Sequence, residues 1–282
     1  MTLDDSLDAL ITLALREDLG DEGDLTSRAV VPATLRAHGR LVAREPIVVA
    51  GLAVAAAVCA RVDPALELRP RAAEGDRLAS GAALAELEGP ARSLLAAERT
   101  VLNFLQRLCG VATLTRRYAD ELEGSRCRLL DTRKTTPGHR ALEKAAVRAG
   151  GGSNHRMGLF DRMLIKDNHL AAAGGLREAV LAARAGKGAL LELEVEVDTL
   201  AQLREALDLG VPLVLCDNMP PATLREAASL RDRLAPKTLL EASGGVTLET
   251  VAEIGRTGVD FVSVGALTHG ARAVDIGLDF DA

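Results

Sequence analysis

Hydrophobic and polar positions follow two different rhythms along this chain, and the change falls near Cys127. Leu3, Leu7, Leu10, Ala14 and Leu15 lie close to a spacing of about 3.6 residues, which predicts an amphipathic helix with Asp4 and Asp5 near its positive end and a stop near Gly20. Strand-like runs follow at residues 36–44 and 46–50, then an alanine-rich helix from Leu52 to Arg61. Residues 74–89 alternate and turn at glycines, as strands of a small sheet do. Residues 91–122 predict one or two long helices that close a first α+β domain, 1–122.

Beyond Cys127 short β-prone runs alternate with helical ones. The runs are RCRLLDT, MLIK, LLELEVEV, PLVLCD, TLLEAS and DFVSVG, separated by stretches such as HRALEKAAVRAG and TLAQLREALDLG. Such alternation predicts βα units and a parallel sheet. Each run ends in a polar or glycine signature: Asp131-Thr-Arg-Lys, Lys166-Asp-Asn, Glu196-Val-Asp, Asp217-Asn, Ser243-Gly-Gly and Gly265. In a βα barrel these ends meet at one mouth, whereas a doubly wound open sheet would gather ligand groups at a single switch point. The expected fold is therefore an incomplete barrel of TIM-like type with six or seven strands, residues 123–269. The last segment, 270–282, is expected to return to the first domain.

The bulk numbers narrow the chemistry. At 282 residues and 48% hydrophobic the chain is globular, and no run is long and apolar enough for a membrane span. The acidic start lacks the marks of a secretory signal, so a cytoplasmic home is expected. Cys59, Cys109, Cys127 and Cys216 are dispersed among mostly apolar neighbours and read as buried thiols. With no Trp, one Tyr and a net charge of −6, nucleic acid is an unsuitable partner. Yet between Arg126 and Lys166 ten Lys/Arg face only Asp131, Glu143 and Asp161, a local balance of +7. Those cations cluster at segment ends, which suits a small, highly charged anion better than a solvated helix face.

Glycines after the last two predicted strands, Ser243-Gly244-Gly245 and Val264-Gly265, expose backbone N–H groups suited to a phosphate; glycines also simply make tight turns. Glu196 and Asp217 opposite so many cations suggest Mg²⁺ and ribose hydroxyls, or stabilisation of positive charge on a sugar carbon; alone, either acid reads equally well as a structural carboxylate. Strict alternation puts Glu194 on the same side as Glu196, and spacing does not choose between them. Gly150-Gly-Gly precedes Asn154-His155-Arg156 and would let backbone approach a ligand. His155 reads as a general acid or base, or equally as a histidine bonded to a carboxylate. No second His or Cys stands at zinc spacing. His139 and His169 carry no assignment, and His269 could touch a phosphate.

In combination, Ala97-Glu-Arg-Thr-Val-Leu-Asn, Asp131-Thr-Arg-Lys-Thr-Thr-Pro-Gly, Gly150-Gly-Gly-Ser-Asn-His-Arg-Met-Gly-Leu, Ile165-Lys-Asp-Asn-His, Glu194-Val-Glu-Val-Asp, Cys216-Asp-Asn, Ser243-Gly-Gly and Val264-Gly-Ala-Leu-Thr-His closely resemble the quinolinate phosphoribosyltransferase family. The resemblance implies conversion of quinolinate and phosphoribosyl pyrophosphate, with Mg²⁺, into nicotinate mononucleotide, pyrophosphate and CO₂. It implies that Arg133, His155, Arg156 and Lys166 hold the quinolinate carboxylates and that Lys134 meets quinolinate or pyrophosphate. Glu196, preferred over Glu194, and Asp217 would serve ribose and metal. Ser243, Gly244, Gly245 and Gly265 would take the 5′-phosphate, with Thr132, Val264 and His269 also lining the substrate site. The residues expected to matter most for turnover are Lys134, Lys166, Glu196 and Asp217. The resemblance also implies a homodimer in which Arg99 reaches the neighbour's site; from the sequence alone Arg99 reads as a surface residue paired with an acid such as Glu98. Arg126, Arg128, Arg140, Lys144, Arg148 and Arg162 read as surface, steering or interface charge. The rival readings are a ModD-like paralogue, which by the family pattern lacks the Lys166-Asp-Asn-His motif intact here, and a non-catalytic anion-binding module.

Overall fold

The computed structural model describes residues 3–186 and 192–281, with side chains described from Leu7 onward. Leu190 and Leu191 of one predicted strand run, and the side chains of Leu3, Asp4 and Asp5, lie outside what is described. From the amino end come α1 (Leu3–Leu19), α2 (Leu25–Val30), β1 (Arg36–Ala43), β2 (Ile47–Val48), α3 (Leu52–Val62), β3 (Glu67–Pro70), β4 (Arg77–Leu78), β5 (Ala83–Pro90) and α4 (Ala91–Glu121). Then follow β6 (Arg128–Leu130), α5 (Arg140–Ala149), β7 (Met163–Ile165), α6 (Asp167–Ala173), α7 (Leu176–Ala185), β8 (Leu193–Val197), α8 (Leu200–Asp208) and β9 (Leu213–Asp217). The chain ends with α9 (Pro221–Leu234), β10 (Leu239–Ser243), α10 (Leu248–Gly255), β11 (Phe261–Ser263), α11 (Ala266–His269) and β12 (Ile276–Asp281).

Two compact units result. One comprises residues up to 116, 135–151 and from 270 onward; the other comprises 117–134 and 152–269. Two features of this division differ from the sequence-based boundaries. Its break falls inside α4 rather than after residue 122, and α5 goes with the first unit rather than with the strands around it. A buried ion pair accounts for α5. Glu143 is fully buried and meets Arg107 of α4 at 2.6 and 3.0 Å, while also accepting from the Thr136 hydroxyl at 2.8 Å. A buried carboxylate must be paired in this way, so α5 is tied to α4.

Within the first unit an antiparallel sheet runs in the order β12-β1-β5-β3. Leu41 of β1 and Leu84 of β5 are fully buried, each contributing about 1.5–3 kcal/mol. The carboxy-terminal β12 pairs with β1 from His38↔Asp281 to Ala43↔Ile276. Glu45 pins the approach to β12 by binding the Arg272 guanidinium and accepting from the Asp275 amide at 2.8 Å. α2 falls where the sequence showed only a polar stretch. It exists because the Asp24 carboxylate accepts the Ser27 amide at 2.9 Å, an N-cap that holds its pKa below the usual range. α4 is one unbroken helix of 31 residues despite Gly110 at its middle. Gly110 is there for proximity: a Cβ would collide with the Arg272 carbonyl.

Six parallel strands form the second unit in the order β6-β11-β10-β9-β8-β7. The first strand in the chain pairs with the last, Phe261↔Arg128 to Ser263↔Leu130, and residues on or just after all six strands line one cavity, as in a barrel rather than an open sheet. Between β6 and β7 a single parallel bridge, Leu130↔Ser153, stands in for a further strand. Ser153 donates to Leu129 O at 2.8 Å and accepts from Asp131 N at 3.1 Å. The sheet is thus a barrel of six strands with a one-residue patch, preceded by the α+β unit. Lys144, read from the sequence as surface, steering or interface charge, is instead fully buried. Among the described residues no helix is long and apolar enough to cross a membrane, and all four cysteines are buried and unpaired.

The Gly110→Ala substitution should lower stability by about 1–3 kcal/mol, because the opposing atom is backbone and cannot rotate away. Thermal or urea unfolding measures it, and an unchanged midpoint would refute the close-approach account of this glycine.

Candidate active site

Strand alternation builds the cavity in two tiers. Side chains two residues apart on a strand share a face, so each strand offers one group deep in the barrel and one at its carboxy-terminal rim. Leu164 lies below Lys166, Leu215 below Asp217, Glu241 below Ser243 and Ser263 below Gly265; all eight line one cavity of about 640 Å³. On β8 Glu196 lines the same cavity while Glu194 is fully buried beneath it. Burial therefore separates the two glutamates that spacing left equivalent. Of the site residues inferred from the sequence, Thr132, Arg133, Lys134, His155, Arg156, Lys166, Glu196, Asp217, Ser243, Gly244, Gly245, Val264, Gly265 and His269 all line this cavity. Arg99 does not: it is exposed on α4, and among the described residues it has no ion pair, with Glu98 or otherwise.

Charge is divided around the rim. Arg133, Lys134, Arg156 and Lys166 stand on or after β6 and β7, and the acids and glycines on β8 to β11. Burial, and then the neighbouring Arg133, pull the Arg156 guanidinium below its ordinary value. Two cations held this close are poised for an anion, above all one with two carboxylates. Lys166 bonds the Glu196 carboxylate directly. Asp217 is oriented by Asn218, whose amide donates to it at 2.6 Å. Asn218 is the one non-glycine residue with positive φ among those described, at 52°, a conformation asparagine tolerates. Its backbone N–H donates to Ser243 O at 2.8 Å, linking the ends of β9 and β10.

Gly244 and Gly245 have φ of +94° and +61°, a region open to glycine, and both line the cavity ahead of α10. A Cβ on Gly244 would strike the Asn218 side chain, whereas one on Gly245 meets nothing. Gly265 is crowded by His269 and Lys134, each at 3.1 Å from a would-be Cβ. Thr268 donates to Lys134 O at 2.7 Å, fastening the loop after β6 to the turn after β11. The glycine triplet behaves differently from its expected role. Gly150 packs against Ala112 and Thr115 of α4 and Gly151 against Arg116, and neither lines the cavity.

Beneath the rim lies a cluster that sequence motifs did not single out. His155 Nε2 is 3.1 Å from Glu194 Oε2 and 3.6 Å from Glu241 Oε2, and the Ser263 hydroxyl donates to Glu241. Burial raises the Glu194 carboxyl well above the usual range; burial and then Glu194 do the same to Glu241. The signal was present in TLLEAS, where a glutamate interrupts an apolar strand run, but a lone acid there has many explanations. His155, Glu194 and Glu241 have a metal-like ligand spacing. The imidazole does not fit such a role: Nδ1 accepts the Arg156 amide at 2.7 Å, so Nε2 carries the proton and has no lone pair to give. Glu196 and Asp217 are the better donor set for a hard cation, being rim carboxylates on adjacent strands that leave room for water ligands.

Comparison with known proteins agrees with this geometry. Models of the quinolinate phosphoribosyl transferase N-terminal and C-terminal domains match residues 24–109 and 111–279. The chain is 48% identical over 271 residues, 95% of each chain, to the nicotinate-nucleotide pyrophosphorylase [carboxylating] of Mycobacterium leprae. It is 44% identical to the probable enzyme of that name from Bacillus subtilis, covering 93% of this chain and 89% of the relative. Among solved structures, the nicotinate-nucleotide pyrophosphorylase of Francisella tularensis superposes with a TM-score of 0.94 at 36% identity, covering 100% of this chain and 98% of that one.

The buried carboxyls set a pH dependence. A carboxyl raised on folding favours the folded state most below the ordinary glutamate value of 4.5, and that contribution is lost as pH rises through the folded value. The Glu241→Gln variant should therefore lose less stability than the wild type between about pH 5 and about pH 8.5 in denaturant titrations. Parallel losses would show that Glu241 is not buried as an acid.

Proposed function

The chain belongs to the quinolinate phosphoribosyltransferase family, and on that premise we propose that it joins quinolinate to the ribosyl group of phosphoribosyl pyrophosphate with loss of CO₂. The observation that carries this reading is the divided rim: cations for a dicarboxylate and pyrophosphate on one side, carboxylates and glycine amides for ribose and phosphate on the other.

Arg133, Arg156 and Lys166 hold the quinolinate carboxylates, since planar guanidinium forks fix a dicarboxylate in one orientation. Lys134 meets the leaving pyrophosphate. The amides of Gly244, Gly245 and Gly265, with the Ser243 hydroxyl, receive the 5′-phosphate, and Thr132, Val264 and His269 complete the walls. Glu196 and Asp217 take the ribose hydroxyls and would hold Mg²⁺, which supplies charge neutralisation to the departing pyrophosphate. Lys166 already occupies Glu196, so substrate and cation enter by exchanging partners with that pair.

As the anomeric C–O bond breaks, its electron pair leaves with pyrophosphate and positive charge grows on the sugar. Glu196 and Asp217 stabilise that charge, and the cations opposite stabilise the leaving group. The pyridine nitrogen, held in line by its anchored carboxylates, forms the new C–N bond. The ring is then a pyridinium. Loss of CO₂ from the carbon beside nitrogen leaves its electron pair on that carbon, where the adjacent positive charge stabilises it until a proton from solvent completes nicotinate mononucleotide. No protein base is needed.

Purified protein given quinolinate, phosphoribosyl pyrophosphate and Mg²⁺ should release CO₂ and pyrophosphate in equal amounts, and no release with both substrates present would sink the assignment. Lys166→Ala and Asp217→Ala should each lower kcat/KM by about a hundredfold or more.

The protein also works as a homodimer in which Arg99 serves the neighbour's site, a reading supported by its exposure and lack of an ion pair among the described residues. Mixing Arg99→Ala with Lys166→Ala protein should restore activity through hybrid dimers. Absence of recovery after verified subunit exchange would refute it.

A further inference from the structure

We infer that Asn218 is a positioning residue that fixes the Asp217 carboxylate against the Ser243-Gly244-Gly245 turn, and so makes the rim selective for a pentose 5′-phosphate over phosphate alone. This rests on the proposed phosphoribosyl site and deepens it.

Backbone strain marks the residue. Asn218 has φ of 52°, whereas every other described residue with positive φ is a glycine. Glycine would adopt this conformation at lower cost, so the asparagine side chain has to contribute something that offsets the difference.

Both halves of the residue are in use. Its side-chain amide donates to Asp217 at 2.6 Å, and its backbone N–H donates to Ser243 O at 2.8 Å. Asp217 and Ser243 are themselves opposite one another at the ends of β9 and β10. The Asn218 side-chain oxygen occupies the space that a Cβ on Gly244 would need, so position 244 is glycine for room as well as for its φ of +94°. Asp217, Asn218, Ser243, Gly244 and Gly245 all line the same cavity.

Asp217 depends on this neighbour more than Glu196 does on its own. Glu196 is held by Lys166, but Asp217 has no ion pair among the described residues, and Asn218 is its one side-chain donor. Without that donor the carboxylate is free to change rotamer. A phosphorylated pentose offers two handles at a fixed separation, its ring hydroxyls and its 5′-phosphate. A site gains from both only if its own carboxylate and its own phosphate turn are held at a matching spacing. Asn218 touches both, and that is the work its strained conformation does.

Two substitutions separate the side chain from the backbone. Asn218→Gly keeps the positive φ and the bond to Ser243 but removes the amide, whereas Asn218→Ala removes the amide and also disfavours the conformation. In calorimetry without added metal, wild-type protein should bind ribose 5-phosphate about tenfold or more tighter than inorganic phosphate. Asn218→Gly should weaken ribose 5-phosphate about tenfold, one lost hydrogen bond, and leave inorganic phosphate within about twofold. Asn218→Ala should weaken both ligands, the reverse of the usual ranking of alanine above glycine. Asp217→Ala and the double variant Asp217→Ala/Asn218→Gly should bind ribose 5-phosphate within about twofold of each other, because the amide acts through that carboxylate.

Wild-type affinity for ribose 5-phosphate in Asn218→Gly, equal weakening of both ligands by that variant, or a further loss in the double variant would overturn the inference. Should Asn218→Ala fail to fold, Asn218→Gly and the Asp217 pair decide it. An enzyme that releases CO₂ but whose Asn218→Gly variant binds like wild type keeps the proposed function and loses this inference. Wild-type protein that binds ribose 5-phosphate no better than inorganic phosphate overturns both.

Discussion

Pairing of the first barrel strand with the last is the constraint on which the site depends. β6 lies beside β11, and that contact turns a row of parallel strands into a ring whose carboxy-terminal ends converge. Without it β6, along with Arg133 and Lys134, would not belong to the sheet that carries Lys166 after β7. With it, the loop after β6 is fastened to the turn after β11 by Thr268 and Lys134, and the cations come to face the glycine turns. The ring need not be complete: where β6 and β7 do not pair, Ser153 makes one bridge, and the backbone just beyond it carries His155 and Arg156.

Closure also creates the electrical division of the cavity. Because successive strands occupy successive places round the ring, a sequence with its cations early and its acids and glycines late becomes a pocket with a cationic wall and a neutral-to-acidic one. A two-substrate site for a dicarboxylate and a sugar phosphate needs that separation, since acids among the arginines would neutralise them. Glu194, which acts on Arg156, and Glu241 beside it are sunk in the lower tier, where burial disfavours their charge.

Much of this was legible in advance because its signals are local. Alternating β and helical runs, polar signatures at strand ends and the glycines of Ser243-Gly-Gly each report on a few neighbouring residues. The six strands β6 to β11 fall within the six predicted runs. What escaped was non-local or ambiguous. α2 depends on one capping carboxylate, and β3 is a short strand with mostly exposed residues. Lys144 reads from the sequence as surface, steering or interface charge, yet it and the neighbouring Glu143 are fully buried. The glycine triplet looked like a ligand loop, but Gly150 and Gly151 serve helix packing.

Periodicity and turn chemistry act over a few residues, and they were enough to give away the class of fold, the succession of strands along the chain and the kinds of group at their ends. Only the tertiary structure decided which groups face one another. Glu194 and Glu196 are equivalent in alternation and differ by depth alone; His155 is ambiguous as a letter, and only the fold places it between the Arg156 amide and the carboxyl groups of β8 and β10. Depth and partnership are properties of strands distant in the chain packed at fixed spacing, and no local pattern encodes them.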